Sequence, residues 1–375
     1  MKLVFVGLSI TSSWGNGHAT TYRSLLRALA ARGHDVTFFE WDAPWYGGEN
    51  RDLPDPDFCE LVLYDDWRST RRRVVAEAHE ADGLIFGSYV HEGPRVLDSL
   101  LDAGLDVHFY DIDTPVTVAQ LRRGEEVSLR MDQVPSLTTY LSFTGGPFLY
   151  QVLERELGAP RALPLYCSVD ADRYRPVQPI AELRGDLAYM GTYAPDRQPG
   201  LQRLLLEPAR TLRDHRFVVA GPQYPDTVEW PGNVARFDHV PPARHPAFYS
   251  SARWQLNLTR ADMRRAGWSP SVRLFEAAAC GAAMISDSWP GLDHFFRPGE
   301  EILLPSDGDE VRRILTGVDD EERRAIGEAA RERVLSAHTS GHRASELEAI
   351  VAGAAPTARA EADGHVATGR GLTVP

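Results

Sequence analysis

Ala266-Gly267-Trp268-Ser269-Pro270-Ser271-Val272-Arg273-Leu274-Phe275-Glu276-Ala277-Ala278-Ala279-Cys280-Gly281 is the stretch that decides the fold. From Val272 to Cys280 every residue is apolar or small except Arg273 and Glu276. That pattern predicts a largely buried helix over Ser271–Cys280, with Ser269 as its N-cap and Pro270 at its first position. Trp254–Leu258 before it and Ala283–Ser286 after it have the length and composition of strands. Strand, helix, strand at this spacing implies parallel pairing with right-handed crossovers, and so an α/β architecture.

The alternation extends outward. Asp186–Tyr189 and Phe217–Ala220 predict further strands with a helix over Leu201–Arg213 between them. Towards the N-terminus, Leu3–Gly7, Val36–Trp41, Gly83–Phe86, Val107–Tyr110 and Leu137–Phe143 also predict strands. Tyr22, Leu25, Leu26 and Leu29 recur at i, i+3, i+4, i+7, the stripe of an amphipathic helix, and Gly33 stands at its C-cap. Pro164–Val177 is full of turn residues and has no periodicity, which places a linker near residue 170. The expected organisation is one domain over 1–170, a second over 171–355, and a disordered tail over 356–375 without periodicity.

Composition sets limits. The chain has 375 residues, 43% hydrophobic and 25% charged, which suits two domains. Its net charge of −13 argues against nucleic acid or an anionic membrane surface as main partner. No window approaches 18 uncharged apolar residues, so no integral membrane segment is expected, and Leu3–Ile10 is too short for a signal peptide. Cys59, Cys167 and Cys280 are odd in number and far apart, as in a reduced, cytoplasmic protein. Lys2 is the only lysine, so any phosphate must be held by arginine, backbone amides or helix ends.

Four places carry candidate chemistry. Trp14-Gly15-Asn16-Gly17-His18-Ala19-Thr20 lies between the first strand and helix, where open α/β folds bind ligands. His18 there is a candidate general base, and the bland alternative is a helix-start histidine that packs. As a dinucleotide fingerprint the stretch is GxGxxT without its third glycine, and Glu40 at the end of the second strand would be the ribose binder. Asp111-Ile112-Asp113 ends a strand. Its two acids chelate a metal, orient His18, or cap backbone amides before Pro115. Glu276 on so apolar a helix needs partners: ribose hydroxyls in one reading, an Arg273–Glu276 ion pair in the other. Gly191-Thr192 follows the first strand of the second domain. Arg197 just beyond makes a bidentate diphosphate contact or pairs with Asp196.

With these residues in place the chain resembles a GT-B glycosyltransferase: two Rossmann-like doubly wound domains facing each other across a cleft. It is similar to glycosyltransferase family four and, more closely, to the bacterial spore-maturation-protein-like branch. Cys167-Ser168-Val169-Asp170-Ala171-Asp172-Arg173-Tyr174-Arg175-Pro176 resembles the family's GVDxxxFxP segment. Leu274–Gly281 with Ala282-Ala283-Met284-Ile285-Ser286 resembles its LLEAMACGxPVIA donor helix and strand.

The resemblance implies an acceptor domain, a nucleotide-sugar domain and a metal-independent transfer with no cofactor beyond the nucleoside-diphosphate sugar co-substrate. The expected acceptor is a small molecule or glycan. Glu276 matches the ribose-binding glutamate, while the family's other glutamate falls at Trp268 and its Arg–Lys clamp lacks a lysine. Gly17-His18 resembles the GHxxP of inverting plant-type enzymes, where the histidine is the base with an aspartate behind it. The reading leans to inversion: catalytic His18 with Asp111 or Asp113, and donor contacts from Gly17, Gly191, Thr192, Arg197, Ser269, Ser271, Val272, Arg273 and Glu276. The alternatives are an NAD-dependent oxidoreductase, a nucleotide-sugar isomerase or hydrolase, and an idle nucleotide-sugar sensor. Trp14, Trp41, Trp45, Tyr46 and Trp67 suit sugar rings or flat aglycones, and equally a core.

Overall fold

The computed structural model describes residues 1–354, so the expected tail at 356–375 lies outside the described residues. The described residues form two compact units: Met1–Cys167 together with residues 340–354, and Ser168–Thr339.

The first unit is built on a seven-stranded parallel sheet. Its strands are β1 (Lys2–Gly7), β2 (Asp35–Trp41), β3 (Glu60–Tyr64), β4 (Gly83–Gly87), β5 (Val107–Asp111), β6 (Thr139–Ser142) and β7 (Ala162–Pro164). They are ordered β3-β2-β1-β4-β5-β6-β7. Helices α1 (Gly17–Ala31), α2 (Trp67–His79), α3 (Gly93–Leu101) and α4 (Thr114–Arg122) supply crossovers. The central strands are buried on both faces and read as continuous apolar runs, as parallel sheets require. Val4, Val6, Phe39, Leu84, Phe86 and Phe109 meet Val96, Leu97 and Leu100 of α3 in one core.

The second unit repeats the plan with five parallel strands: β8 (Gly185–Met190), β9 (Phe217–Ala220), β10 (Val234–Phe237), β11 (Ala252–Asn257) and β12 (Ala283–Ser286). Their order is β10-β9-β8-β11-β12. Around them lie α5 (His245–Ser251), α6 (Val272–Ala279), α7 (Gly308–Gly317) and α8 (Asp320–Ala337). In both units the order reverses beside the first strand, between β1 and β4 and between β8 and β11. Doubly wound sheets place ligands outside the carboxyl ends of the strands at that switch point.

Three sequence expectations change. The continuous helix expected over Leu201–Arg213 is broken into Gln198–Leu201, a π turn Gln202–Leu206 and Glu207–Thr211. Pro208 has no N–H to donate to the turn before it, and the wider turn absorbs the missing bond. The donor helix begins at Val272, so Ser271 and not Ser269 is its N-cap residue. Finally, α9 (Ser340–Val351) belongs to the first unit although 171–355 was expected to be one domain. It packs against α1: Ser24 donates to Ser340 at 2.8 Å, and Glu348 pairs with Arg32 and His34. Its Val351 methyls fill the space over Gly83, where a Cβ would meet them at 2.8 Å.

Candidate functional site

In the second unit, the carboxyl ends of β8, β9 and β11 and the amino end of α6 supply the residues singled out in the sequence. Gly191 follows β8 and Gly221 follows β9. Gly221 has φ +141° and a Cβ there would stand 2.1 Å from the Gly191 carbonyl oxygen, so both turns depend on glycine. A Cβ on Gly191 would also stand 3.0 Å from Arg273 Nη2, which puts that guanidinium against the loop.

Arg197 reaches back to the same loop and donates through Nη2 to the Thr192 carbonyl oxygen at 2.6 Å. Its Nε is buried without a partner, and burial lowers its pKa. Asp196, the neighbour with which it was expected to pair, instead accepts from the Ala261 amide at 2.8 Å. Arg273 donates to Asn257 Oδ1 at 3.0 Å and lies 5.1 Å over the Tyr189 ring. Among the described residues neither arginine forms an ion pair with a carboxylate. Two guanidiniums at one glycine loop, neither paired with a carboxylate, suit a group that accepts bidentate hydrogen bonds.

Asn257 holds the start of α6. Its Oδ1 also accepts from Ser271 Oγ at 2.8 Å, while its Nδ2 donates to Ser286 Oγ at 3.0 Å. The Ser271 hydroxyl is thereby turned away from capping, so the N-cap residue makes no side-chain bond to the α6 amides. A helix start that its own N-cap side chain leaves uncapped, beside two arginines, offers hydrogen-bond donors of the kind an anion takes. The turn into it is strained: Trp268 has φ +41° and Gly267 φ +69°, while Ser269 is buried.

Glu276 is 6% exposed, and the Arg273–Glu276 pair does not form. Tyr249 donates to Glu276 Oε2 at 2.8 Å, and Tyr174 lies between Glu276 and His245, 3.3 Å from His245 Nδ1. Burial and the Glu276 charge raise the Tyr249 phenol far above its ordinary range, so it remains a donor. Tyr174 is a second hydrogen-bond partner of Glu276, and because a carboxylate has about four acceptor positions it keeps capacity for a ligand hydroxyl beside the two phenols.

In the first unit, Asn16 caps α1 by accepting from the His18 amide at 3.0 Å, which fixes His18 at the helix start with Gly17 exposed beside it. His18 Nε2 lies 3.4 Å from Asp113 Oδ2, and the ring meets Tyr89 edge-on with centroids 5.2 Å apart. Its Nδ1 is buried with no hydrogen-bond partner. Asp111 takes no part in that pair. Buried under the sheet end, it accepts from Tyr140 at 2.6 Å, Thr117 at 2.9 Å and the Asp113 amide at 3.2 Å. Burial pushes its pKa up to about 6. With Asp111 committed to these donors, the two acids do not converge as a chelating pair.

Glu40 is fully buried and accepts from Ser9 Oγ at 2.7 Å, the Ile10 and Thr11 amides at 2.6 and 3.1 Å, and Thr11 Oγ1 at 2.5 Å. It anchors the loop after β1 and is not open to a ribose, which removes the residue on which a dinucleotide reading rested. Sequence reasoning missed Tyr249 and Asn257. Each looks like an ordinary core residue of its own element, and only the packing of α5 and β11 against α6 brings them to the site.

Residues 197–349 match the family model described as glycosyl transferase-like. No curated protein matches the chain by sequence. Among solved structures, an alpha-glucosyltransferase in complex with UDP has a TM-score of 0.69 at 13% identity, covering 94% of this chain and 100% of that one. HepE of Anabaena with UDP and glucose gives 0.65 at 12%, covering 94% and 100%. Sucrose-phosphate synthase of Thermosynechococcus elongatus gives 0.65 at 14%, covering 94% and 99%. The chain has their fold: two parallel-sheet Rossmann-like units, the GT-B class. Among the described residues no helix is long and apolar enough to cross a membrane.

Proposed function

We propose that the protein is a glycosyltransferase that moves a sugar from a nucleoside-diphosphate sugar, with UDP as the carrier, to a hydroxyl of a small-molecule or glycan acceptor. One observation carries the reading: buried Glu276 stands on the helix whose uncapped amino end faces two arginines without carboxylate partners. A carboxylate takes ribose hydroxyls, while amides and guanidiniums take a diphosphate, so the set matches the two halves of a nucleoside diphosphate. The matched family model and the UDP in the neighbours' complexes support the same reading.

The proposed chemistry follows from where charge develops. As the bond from the anomeric carbon to the diphosphate breaks, negative charge grows on the leaving group. Arg197, Arg273 and the amides at Ser271–Arg273 stabilise it more than the ground state, the condition for catalysis. That cationic set supplies the electrophilic help without a metal or cofactor in this proposal. With Asp113 accepting Nε2–H, His18 Nδ1 carries the lone pair and takes the proton of the acceptor hydroxyl. The freed oxygen attacks the anomeric carbon from the side opposite the diphosphate, which inverts the configuration. Trp268 at the place of the family-four glutamate and the missing clamp lysine favour this route over retention. The finer likeness to family four and the spore-maturation-like branch rests on Cys167–Pro176 and on the residues of α6 and β12.

The test is a thermal-shift panel of UDP, GDP, dTDP, ADP and NAD with and without EDTA, followed by an assay for UDP release from UDP-sugars. A UDP-selective shift that survives EDTA and disappears in Glu276→Ala is expected, since a ligand at about 100 Kd stabilises by about 2.7 kcal/mol. A shift with NAD alone overturns the donor assignment. UDP released at full rate without acceptor turns the reading to a hydrolase.

A further inference from the structure

The tryptophans and histidine at the far carboxyl end of the first sheet enclose a second feature. A cavity of about 380 Å³ is lined by Trp41 at the end of β2, by Tyr64 to Arg68 from the end of β3 to the start of α2, and by His91, Glu92 and Arg95 before and within α3. Exposed His91 stacks flat on Trp41, with centroids 3.6 Å apart and planes 11° apart, and Trp45, 53% exposed, stands edge-on at 5.2 Å. Tyr64 is 5% exposed, and its hydroxyl is buried without a hydrogen-bond partner.

We infer that this cavity is the acceptor subsite and that the acceptor is a neutral saccharide; the inference rests on the glycosyltransferase reading above. Three observations select the ligand. The wall offers the exposed ring of His91 stacked on Trp41, a platform that suits the C–H face of a sugar ring. The rim mixes carboxylates (Asp65, Asp66, Glu92) with guanidiniums (Arg68, Arg95), and hydroxyls, which both donate and accept, satisfy such a mixture. A phosphate would meet three like charges and an amine two. The unpartnered Tyr64 hydroxyl asks for a neutral polar partner, since burying it alone is costly.

The cavity is also tied to the base. Tyr89, which packs on His18, and His91 are two residues apart, so their Cα atoms lie within about 7 Å. The loop that joins them is held in an unusual shape: Tyr89 has φ +63° and Glu92 φ +51°, left-handed values that non-glycine residues rarely keep without a reason. A saccharide bound on His91 and Trp41 is therefore held one loop away from the His18 ring.

The experiment screens the full chain on a glycan array and follows hits by saturation-transfer NMR. Choline, inorganic phosphate and p-nitrophenol serve as cationic, anionic and flat aromatic controls, and UDP binding is measured in parallel. Neutral glycans are expected to bind, with affinity falling about tenfold or more in Trp41→Ala and in His91→Ala, while UDP affinity stays within twofold. Absence of any glycan hit with UDP binding intact overturns the saccharide subsite and leaves the donor reading standing. Glycan binding unchanged in both variants, or preferential binding of a control, also overturns it. Glycan binding without UDP binding sinks the donor reading and keeps the cavity.

Discussion

Tyr249 Oη donates to Glu276 Oε2 at 2.8 Å, so a residue of α5 sets the direction of the carboxylate on α6. Two variants separate orientation from contact. Glu276→Ala removes the ribose acceptor and is expected to weaken UDP about tenfold or more in calorimetry, while pyrophosphate binds as before. Tyr249→Phe leaves the buried oxygen without its donor, at a cost of about 1–3 kcal/mol, visible as a melting-temperature drop together with weaker UDP binding. Equal loss of UDP and pyrophosphate in Glu276→Ala would refute the ribose role.

The arginines predict the complementary pattern. Arg197→Ala or Arg273→Ala removes charge-assisted bonds to the diphosphate, each about 1.5–3 kcal/mol, or about 10–100-fold in affinity. Uridine, which has no phosphate, should bind these variants as it binds the parent. Unchanged UDP affinity would remove both residues from the donor site.

His18→Ala should lower the transfer rate by about 10²–10⁴-fold, the usual worth of a positioned base, with the donor KM within about twofold. Asp113→Asn keeps the side-chain shape but not the charge opposite Nε2, and is expected to lower kcat less than His18→Ala does. A His18→Ala enzyme that keeps its kcat ends the base assignment.

Asp111 gives a pH signature in stability. Its carboxyl titrates at about 6 in the folded protein against an ordinary 3.8. Between those values the native state holds a proton that the unfolded chain has released, so stability falls as pH rises through this window. The full loss, reached above about pH 6, is of order 3 kcal/mol. Asp111→Asn keeps the shape and can still bond Thr117 and Tyr140 without the buried charge. Its melting temperature should exceed the parent's by a few degrees at pH 7.5 and match it near pH 4. A gap that does not close at acid pH contradicts the buried-charge explanation.

Much of the fold was legible because the central strands of parallel sheets are uniformly apolar. Phe217–Ala220 and Ala283–Ser286 fall where their composition places them. The strands that went unnoticed were β3, β7 and β10, at or beside sheet edges, where partial burial or a three-residue length blurs the pattern. At the site, Glu276 and Arg273 were legible from polarity out of place on an apolar helix. The roles of Tyr249, Asn257 and Glu40 were not, because each is defined by a partner 27, 16 or about 30 residues away. The N-cap stands two residues beyond Ser269, at Ser271, whose hydroxyl bonds the Asn257 side-chain carbonyl.

The return of α9 to α1 has a consequence for biosynthesis. Ser168–Thr339 is an insertion between two parts of the first unit, so the ribosome must finish it before the first unit can close. At about 5–20 residues per second the surface that receives Leu347 and Ile350 stays wet for roughly 10–30 s. A transcript truncated after Thr339 leaves that surface open permanently.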